Sequence, residues 1–296
     1  MNLLLAQINT RAFMNLDLLS VGITIAAIGI LGFIVYLYNQ YSITSKTFLL
    51  FSLLTIFYGV ANYLSYQINS PAVVLWILRV VIFSAVWHAF SLLQLFYVFP
   101  KEKIVFPKFY KYALIPLVAL SSIINLTSFS FSKLEKFSVG QVSVAATGPG
   151  IALFGLIVTA LVVSSIFLLV KRMIKAEDKE RAQFKLILTG VIITFSLIIT
   201  FNLLIPVIFD NTRFIPLAAL FMFPFVAFTF YAIIKHRLLN IKIIATEILT
   251  FILSVVTLFE VIISNSIETL ILRSGVFTLV LAFGILLIRS VRREVE

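Results

Sequence analysis

The chain has 296 residues, of which 61% are hydrophobic and 12% are charged, and its mean hydropathy is +1.14. Because soluble domains carry about 25% charged residues, this composition excludes a water-soluble fold and indicates a helical bundle in a bilayer. The net charge of +11 does not indicate a nucleic-acid partner, since the basic residues flank apolar runs, and the absence of cysteine excludes disulfides and thiolate-bound metals.

The apolar runs predict an all-α polytopic membrane protein with about nine transmembrane helices, its N-terminus outside and its C-terminus in the cytoplasm. The predicted spans are 18–38, 47–67, 73–99, 112–127, 151–174, 186–208, 215–234, 243–264 and 270–288. The segment before them, 1–17, lacks the basic start of a cleaved signal peptide and is predicted to be extracytoplasmic. The fourth span is short for about 30 Å of hydrocarbon. The eighth and ninth spans can also be interpreted as one interrupted segment.

The basic residues fix the predicted orientation through the positive-inside rule. Five basic residues lie in segments predicted to face outwards, and Arg79 alone lies deep within a span. All the others lie in predicted inner loops or at inner helix ends: Lys46, Lys101, Lys103, Lys108, Lys111, Lys171, Arg172, Lys175, Lys179, Arg181, Lys185, Lys235, Arg237, Lys242, Arg289, Arg292 and Arg293. The cell membrane is therefore the predicted location.

One outer segment, 127–150, is longer than the other connections. Its residues alternate in character around Gly140, which is typical of a small β-hairpin or an extended lid, and it ends in a Gly148-Pro149-Gly150 turn. A plain connecting loop fits the segment equally well. At the other end of the chain, the ninth span continues into IRSVRREVE without a glycine or proline, so 289–296 is predicted to begin a cytoplasmic signalling helix.

Catalytic constellations are absent from the sequence. The two histidines, His88 and His236, have no second ligand at metal-binding spacing, and there is no nucleophile elbow or P-loop. No lysine lies at mid-membrane, which excludes a retinal protein. The sequence therefore predicts no enzyme activity, no cofactor and no metal in this chain.

Two charges within predicted spans are candidate ligand contacts. A charge at mid-bilayer costs roughly 2.5–3.5 kcal/mol on insertion scales. Arg79 lies roughly 9 Å and Glu260 roughly 6 Å below the outer ends of their spans, counting about 1.5 Å per residue. They could pair or line a pocket open to the outside, and the alternative is that each extends separately to the headgroups.

The third span also carries Trp76 and His88, which are further ligand-binding candidates. His88 is predicted either to belong to a polar helix face that packs inside the bundle or to sense pH. Asn62, Asn125 and Asn202 are predicted to form hydrogen bonds between helices rather than to contact a ligand. Small residues in the first span provide a surface for close helix packing: Gly22, Ala26, Gly29 and Gly32.

Two stretches carry a resemblance to a known family. The first runs from KERAQFKLILTG to NLLIPVIF and contains Arg181, Gln183, Gly190, Asn202 and Pro206. The second ends in a Tyr-Ala-Ile, basic, Arg-Leu-Leu pattern, here Tyr231, Ala232, Ile233, Lys235, Arg237, Leu238 and Leu239. With the Gly148-Pro149-Gly150 turn, these residues resemble the seven-transmembrane N-terminal sensor region of bacterial histidine kinases.

The resemblance implies a sensor domain over 18–242, followed by two additional helices over 243–288. It implies a small ligand or a membrane stimulus, a cytoplasmic kinase or other effector as the partner, and a homodimer formed through the last two helices. The chain departs from the family pattern because it has no phosphoacceptor histidine box and no ATP-binding boxes. The alternative interpretations are a small-molecule transporter or channel-like protein, a lipid-modifying membrane enzyme, and an assembly subunit.

Overall fold

The structure, a computed structural model, describes residues 2–137, 143–209, 211–212, 214–234, 246, 250, 253–254, 257 and 267–293. Contacts divide the chain into two units, Met1–Ile233 and Ile234–Glu296, which are described separately. The helices of the first unit are α1 (Asn2–Tyr38), α2 (Ile43–Gln67), α3 (Pro71–Val98), α4 (Ile115–Asn125), α5 (Pro149–Lys175), α6 (Asp178–Ile198), α7 (Ile205–Phe209) and α8 (Ala218–Ile234).

Within the described residues, seven helices are long and apolar enough to cross a membrane. They lie where the first, second, third, fifth, sixth, seventh and ninth spans are predicted, so the chain is an all-α, multi-pass membrane protein. The fourth predicted span corresponds to a shorter apolar helix, Tyr110–Asn125, which covers only roughly 24 Å at 1.5 Å per residue. The eighth predicted span, 243–264, lies mostly outside the described residues.

Small residues bring the first two helices close together, as the sequence predicts for part of the α1 surface. A Cβ atom on Gly32 would lie 2.7 Å from Ser52 Cβ, and one on Gly29 would lie 3.2 Å from Ile56 Cδ1. Gly22 has no atom that such a Cβ would meet within 4 Å. The close approach of α1 to α2 is therefore made by the later part of the predicted small-residue surface.

Two helices of the bundle each contain a π-helical turn shortly before an internal proline. The turns Tyr110–Leu114 and Ile199–Leu204 run directly into α4 and α7, and both are followed by an Ile-Pro dipeptide that contains Pro116 or Pro206. A proline inside a helix lacks an N–H and its ring clashes with the carbonyl four residues earlier. Wider hydrogen bonding just before the proline, such as Ile205 N–H to Thr200 O, accommodates the ring and keeps the helix continuous.

The start of α2 and the ends of α3 and α5 lie together at one end of the first unit. Ile43 N–H donates to Glu102 O over 2.8 Å, and Thr44 Oγ1 donates to Lys101 O over 2.7 Å. Arg172 Nη1 donates to Phe99 O over 2.6 Å. Side chains that the sequence assigns to the inner membrane face therefore lie together.

A two-stranded antiparallel hairpin occupies part of the long segment between α4 and α5. It pairs β1 (Phe131–Lys136) with β2 (Val144–Thr147), and its register shifts twice along its length. Gly148 N–H donates to Ser130 O over 2.8 Å, and Gly150 N–H donates to Phe129 O over 3.0 Å. These bonds attach the base of the hairpin to the start of α5, where Pro149 is tolerated because the first helical turn needs no N–H there.

In the second unit the structure describes one long helix, α9 (Ile267–Arg293), together with a few residues before it. The helix contains the apolar span Ile271–Ser290 and continues to Arg293 without a break. A Cβ atom on Gly284 would clash with the side chain of Thr250, so the glycine permits a close contact within this unit.

Candidate functional site

A cavity of about 170 Å³ lies inside the first unit, between α2, α3, α5, α6, the second π-helical turn and α8. Most of its wall is aliphatic or aromatic. The exceptions are a few polar side chains, His88, Tyr58, Thr194 and Asn202, which come from four separate elements. Apolar pockets with a few convergent polar groups are the usual form of small-ligand sites.

His88 is the polar residue of the cavity that is held most firmly. It is 8% exposed, and its ring stacks on Phe51, with centroids 4.6 Å apart, and lies parallel to Tyr58, with centroids 6.0 Å apart. Its Nε2 atom lies 2.9 Å from Thr55 Oγ1. Two aromatic rings and one hydroxyl, all from α2, therefore fix the orientation of the imidazole.

The hydroxyl of Thr55 decides which imidazole nitrogen carries a proton. Thr55 Oγ1 lies 2.8 Å from Phe51 O, which can only accept. Because a hydroxyl has a single hydrogen to donate, Thr55 gives it to that carbonyl and accepts the bond from His88 Nε2–H. In the neutral ring Nδ1 is then an acceptor, and no donor to it is found among the described residues.

Asn202 supplies a second free acceptor to the cavity. Its Oδ1 atom is buried without a hydrogen-bond partner in the described part of the chain, and it lies in the widened turn before Pro206. The sequence predicts a helix-to-helix hydrogen bond here, and the structure has none at Oδ1. Asn62 does form such a bond, from Nδ2 to Ile215 O over 3.1 Å.

Three residues on one face of α6 hold α6 and α8 together, and these two helices form one wall of the cavity. Gln183 Nε2 donates to Ala232 O over 3.1 Å, and Thr194 Oγ1 accepts from Phe225 N–H over 3.1 Å. Between them, a Cβ atom on Gly190 would lie 2.8 Å from Phe228 Cβ. Gln183 and Gly190 belong to the motif that carries the family resemblance. In the structure both residues pack α6 against α8.

Arg79 and Trp76 form a separate site nearer the start of α3. Arg79 is 8% exposed and donates from Nε and Nη2 to Phe131 O, over 3.1 and 2.6 Å. Its Cζ atom lies 5.1 Å from the centroid of the Trp76 ring, a cation–π contact. No carboxylate of the described residues pairs with the guanidinium.

The structure thus separates the candidates that the sequence groups together on α3. Arg79 attaches the first residue of β1 to α3, and it lies nine residues, or roughly 14 Å of helix rise, from His88 in the cavity. Trp76 is 56% exposed and lies beside Arg79, not in the cavity wall. Glu260, the fourth candidate, lies outside the described residues. Tyr58 and Thr194 are cavity residues that the sequence does not single out.

Comparisons with protein-family models, with curated protein sequences and with solved structures give no match to this chain. The resemblance to the kinase sensor region is therefore carried by the motif residues alone. For two of them, Gln183 and Gly190, the structure shows a helix-packing role.

Proposed function

We propose that the chain is a membrane-embedded sensor module whose ligand site is the cavity between α2, α3, α5, α6 and α8. The observation that carries the proposal is that Asn202 Oδ1, a buried atom without a hydrogen-bond partner among the described residues, belongs to a side chain that lines this largely apolar cavity together with His88. Buried polar atoms almost always have a partner, and a ligand with a hydrogen-bond donor would supply one to Asn202 Oδ1.

The size and the polarity of the cavity define the ligand class. Benzene occupies an engineered protein cavity of about 150 Å³, and the cavity here measures about 170 Å³. The ligand therefore has about the size of one ring. Since the buried unpaired atom, Asn202 Oδ1, is an acceptor and most of the wall is apolar, the ligand carries at least one hydrogen-bond donor on an otherwise apolar body.

A ligand in this position would favour one packing of the helices over another, because the cavity wall is shared among five of them. The resemblance implies that such a change passes through the last helices to a cytoplasmic kinase or another effector. It also implies that two copies of the chain pair through these helices. The α9 helix carries exposed apolar residues suited to a membrane or a partner helix: Ile271, Leu272, Leu279, Phe283 and Leu286.

Phenol and toluene provide the test of ligand binding, since they share one ring and differ in the hydroxyl donor. Purified protein in detergent should unfold at a higher temperature with millimolar phenol than with the same concentration of toluene. The substitutions His88→Phe and Asn202→Leu keep the ring stacking or the side-chain volume and remove one acceptor each. Asn202→Leu should abolish the preference for phenol, because it removes the buried acceptor that has no partner, and His88→Phe should reduce the preference less, because one hydroxyl donates to one acceptor at a time. Equal shifts with the two compounds in the unsubstituted protein would contradict the proposal.

Signal transmission can be followed because the chain contains no cysteine. A Ser290→Cys variant places a single thiol at an exposed position near the end of α9. Disulfide formation between copies in native membranes should occur, and phenol should change its rate unless Asn202→Leu is also present. If no disulfide forms between copies, or if phenol does not change the rate of disulfide formation, the result would argue against the sensor mechanism. Substrate-dependent flux in proteoliposomes would instead identify a transporter.

A further inference from the structure

A second cavity opens at the end of the bundle opposite the hairpin. It has a volume of about 500 Å³ and lies where α3 and α5 end and α6 begins. Its wall contains four cationic side chains and one carboxylate, among nine lining residues: Pro100, Lys101, Leu168, Lys171, Arg172, Lys175, Ala176, Glu180 and Phe184. We call it the basic cleft.

Arg172 is fixed within the basic cleft. Its Nη1 atom donates to Phe99 O over 2.6 Å, and its Cζ atom lies 5.6 Å from the centroid of the Tyr97 ring. A basic residue that only sets membrane topology needs no such contacts. Because a guanidinium has five N–H donors, the other donors of Arg172 remain for an anion.

The three lysines of the basic cleft leave its positive charge largely uncompensated. Lys101, Lys171 and Lys175 are exposed, and none of them forms an ion pair with a carboxylate of the described residues. Glu180 provides the single negative charge in the wall. Charge complementarity therefore favours an anion with several acceptor oxygens, for which a phosphate is the common biological case.

An apolar surface leads along α5 to the basic cleft. Four large side chains on one face of the helix are exposed, namely Leu156, Val163, Phe167 and Ile174. Lys171 Nζ lies 5.9 Å from the centroid of the Phe167 ring, so the charged and apolar surfaces meet there. An acyl chain lying along α5 would bring its own phosphate to the basic cleft, which a soluble phosphate cannot do.

We infer that the basic cleft binds the headgroup of an anionic phospholipid, with its phosphate held by Arg172 and the lysines and an acyl chain along α5. Lys171 and Lys175 lie at the end of the 27-residue α5 span, where lipid phosphates are found. Basic pockets between transmembrane helices at the inner membrane face are known to hold anionic headgroups. This inference is independent of the ligand proposed for the central cavity.

The test compares lipid retention in two matched double variants. Lys171→Gln/Lys175→Gln removes two charges from the basic cleft and leaves the Arg172 bond to Phe99 intact. Lys103→Gln/Lys108→Gln removes two exposed charges near the same end of the bundle but outside the cleft wall. Each protein is purified, mixed with equal amounts of phosphatidylglycerol and phosphatidylcholine, and examined by native mass spectrometry.

The unsubstituted protein and the Lys103→Gln/Lys108→Gln control should retain phosphatidylglycerol in preference to phosphatidylcholine. The cleft variant should bind it on the order of 25-fold more weakly, at about fivefold for each charge lost near a headgroup. Glu180→Gln should strengthen retention, because it removes the one repelling carboxylate. Equal losses in both double variants would show general electrostatic attraction and would overturn the inference.

A second experiment determines whether the basic cleft binds a lipid phosphate or a soluble phosphate. Inorganic phosphate is titrated into the delipidated protein, and its affinity is compared with that of phosphatidylglycerol. Weak or undetectable binding of phosphate alone is expected, since it lacks the acyl contacts along α5. Binding of inorganic phosphate as tight as that of the lipid would assign the basic cleft to a soluble anion and overturn the lipid assignment.

Discussion

His88 Nε2 and Thr55 Oγ1 lie 2.9 Å apart and join α3 to α2 beside the central cavity. The hydroxyl accepts this bond because it donates to Phe51 O. Thr55 therefore favours the tautomer with a proton on Nε2, in which Nδ1 is an acceptor, and it holds the ring together with Phe51 and Tyr58.

Thr55→Val should destabilise the protein by about 0.6 kcal/mol and at most about 1.7 kcal/mol, the range for hydrogen bonds between transmembrane helices. The variant keeps the side-chain shape and leaves His88 Nε2–H without an acceptor. The free energy of unfolding is measured by denaturant titration in mixed micelles. Thr47→Val is the control, because Thr47 is also buried and bonds only to Ile43 O in its own helix. Equal losses in the two variants would mean that the Thr55–His88 bond contributes nothing.

Arg79→Leu should release the hairpin from α3, because Nε and Nη2 of Arg79 both donate to Phe131 O. A spin label on Glu135→Cys, an exposed position of β1, reports the change through its mobility in the electron paramagnetic resonance spectrum. The label should become more mobile in Arg79→Leu and stay unchanged in Lys133→Leu, which removes an exposed charge from the same strand. An unchanged spectrum in Arg79→Leu would show that other contacts hold the hairpin.

The same variant tests the signalling role that the sequence suggests for Arg79. If a ligand binds near the guanidinium, Arg79→Leu should abolish the response of the Ser290→Cys crosslink to that ligand while the protein still inserts. If Arg79 acts only as the hairpin anchor, the response to phenol in the central cavity should survive, because the two sites lie nine residues apart on α3.

Gly190→Ala should destabilise the protein by about 1–3 kcal/mol, the usual result of overpacking. The added methyl group would meet Phe228 Cβ at 2.8 Å and the backbone of Phe225 at 3.1 Å, so α6 and α8 must move apart. Gly155→Ala is the matched control, since a Cβ there has no neighbour within 4 Å. The two free energies of unfolding are compared in the same detergent, and similar values would contradict the close α6–α8 contact.

Seven of the nine predicted spans coincide with long apolar helices of the described residues, because their signal is summed over some twenty apolar residues. It also points to His88 and Arg79, since a polar group in an apolar helix needs a reason to be there. It does not show that these two residues serve different sites, because their partners, Thr55 and the backbone carbonyl of Phe131, are distant in the chain. Every residue has a backbone carbonyl, so the sequence does not indicate which carbonyl accepts the bond from Arg79.

Asn202 shows a second limit of prediction from the sequence. An asparagine in a span is equally compatible with a helix-to-helix bond, as at Asn62, and with a free acceptor, as at Asn202. Asn202 lies in a π-helical turn, and an Ile-Pro dipeptide follows this turn in the sequence. The same dipeptide follows the first π-helical turn, whereas Pro224 lies inside α8 without such a turn, so a proline in an apolar span does not by itself predict one.

Pro206→Ala should remove the preference of the central cavity for phenol over toluene. Without the proline ring, Ile199–Leu204 can return to ordinary α-helical hydrogen bonding, which rotates Asn202 relative to the rest of α6 and takes Oδ1 out of its present position. The unfolding temperature with each compound is the measurement. Pro116→Ala is the matched control, because it alters the other π-helical turn, which contributes no residue to the cavity wall. If Pro206→Ala kept the preference for phenol, the π-helical turn would not be what places Asn202 Oδ1 in the cavity.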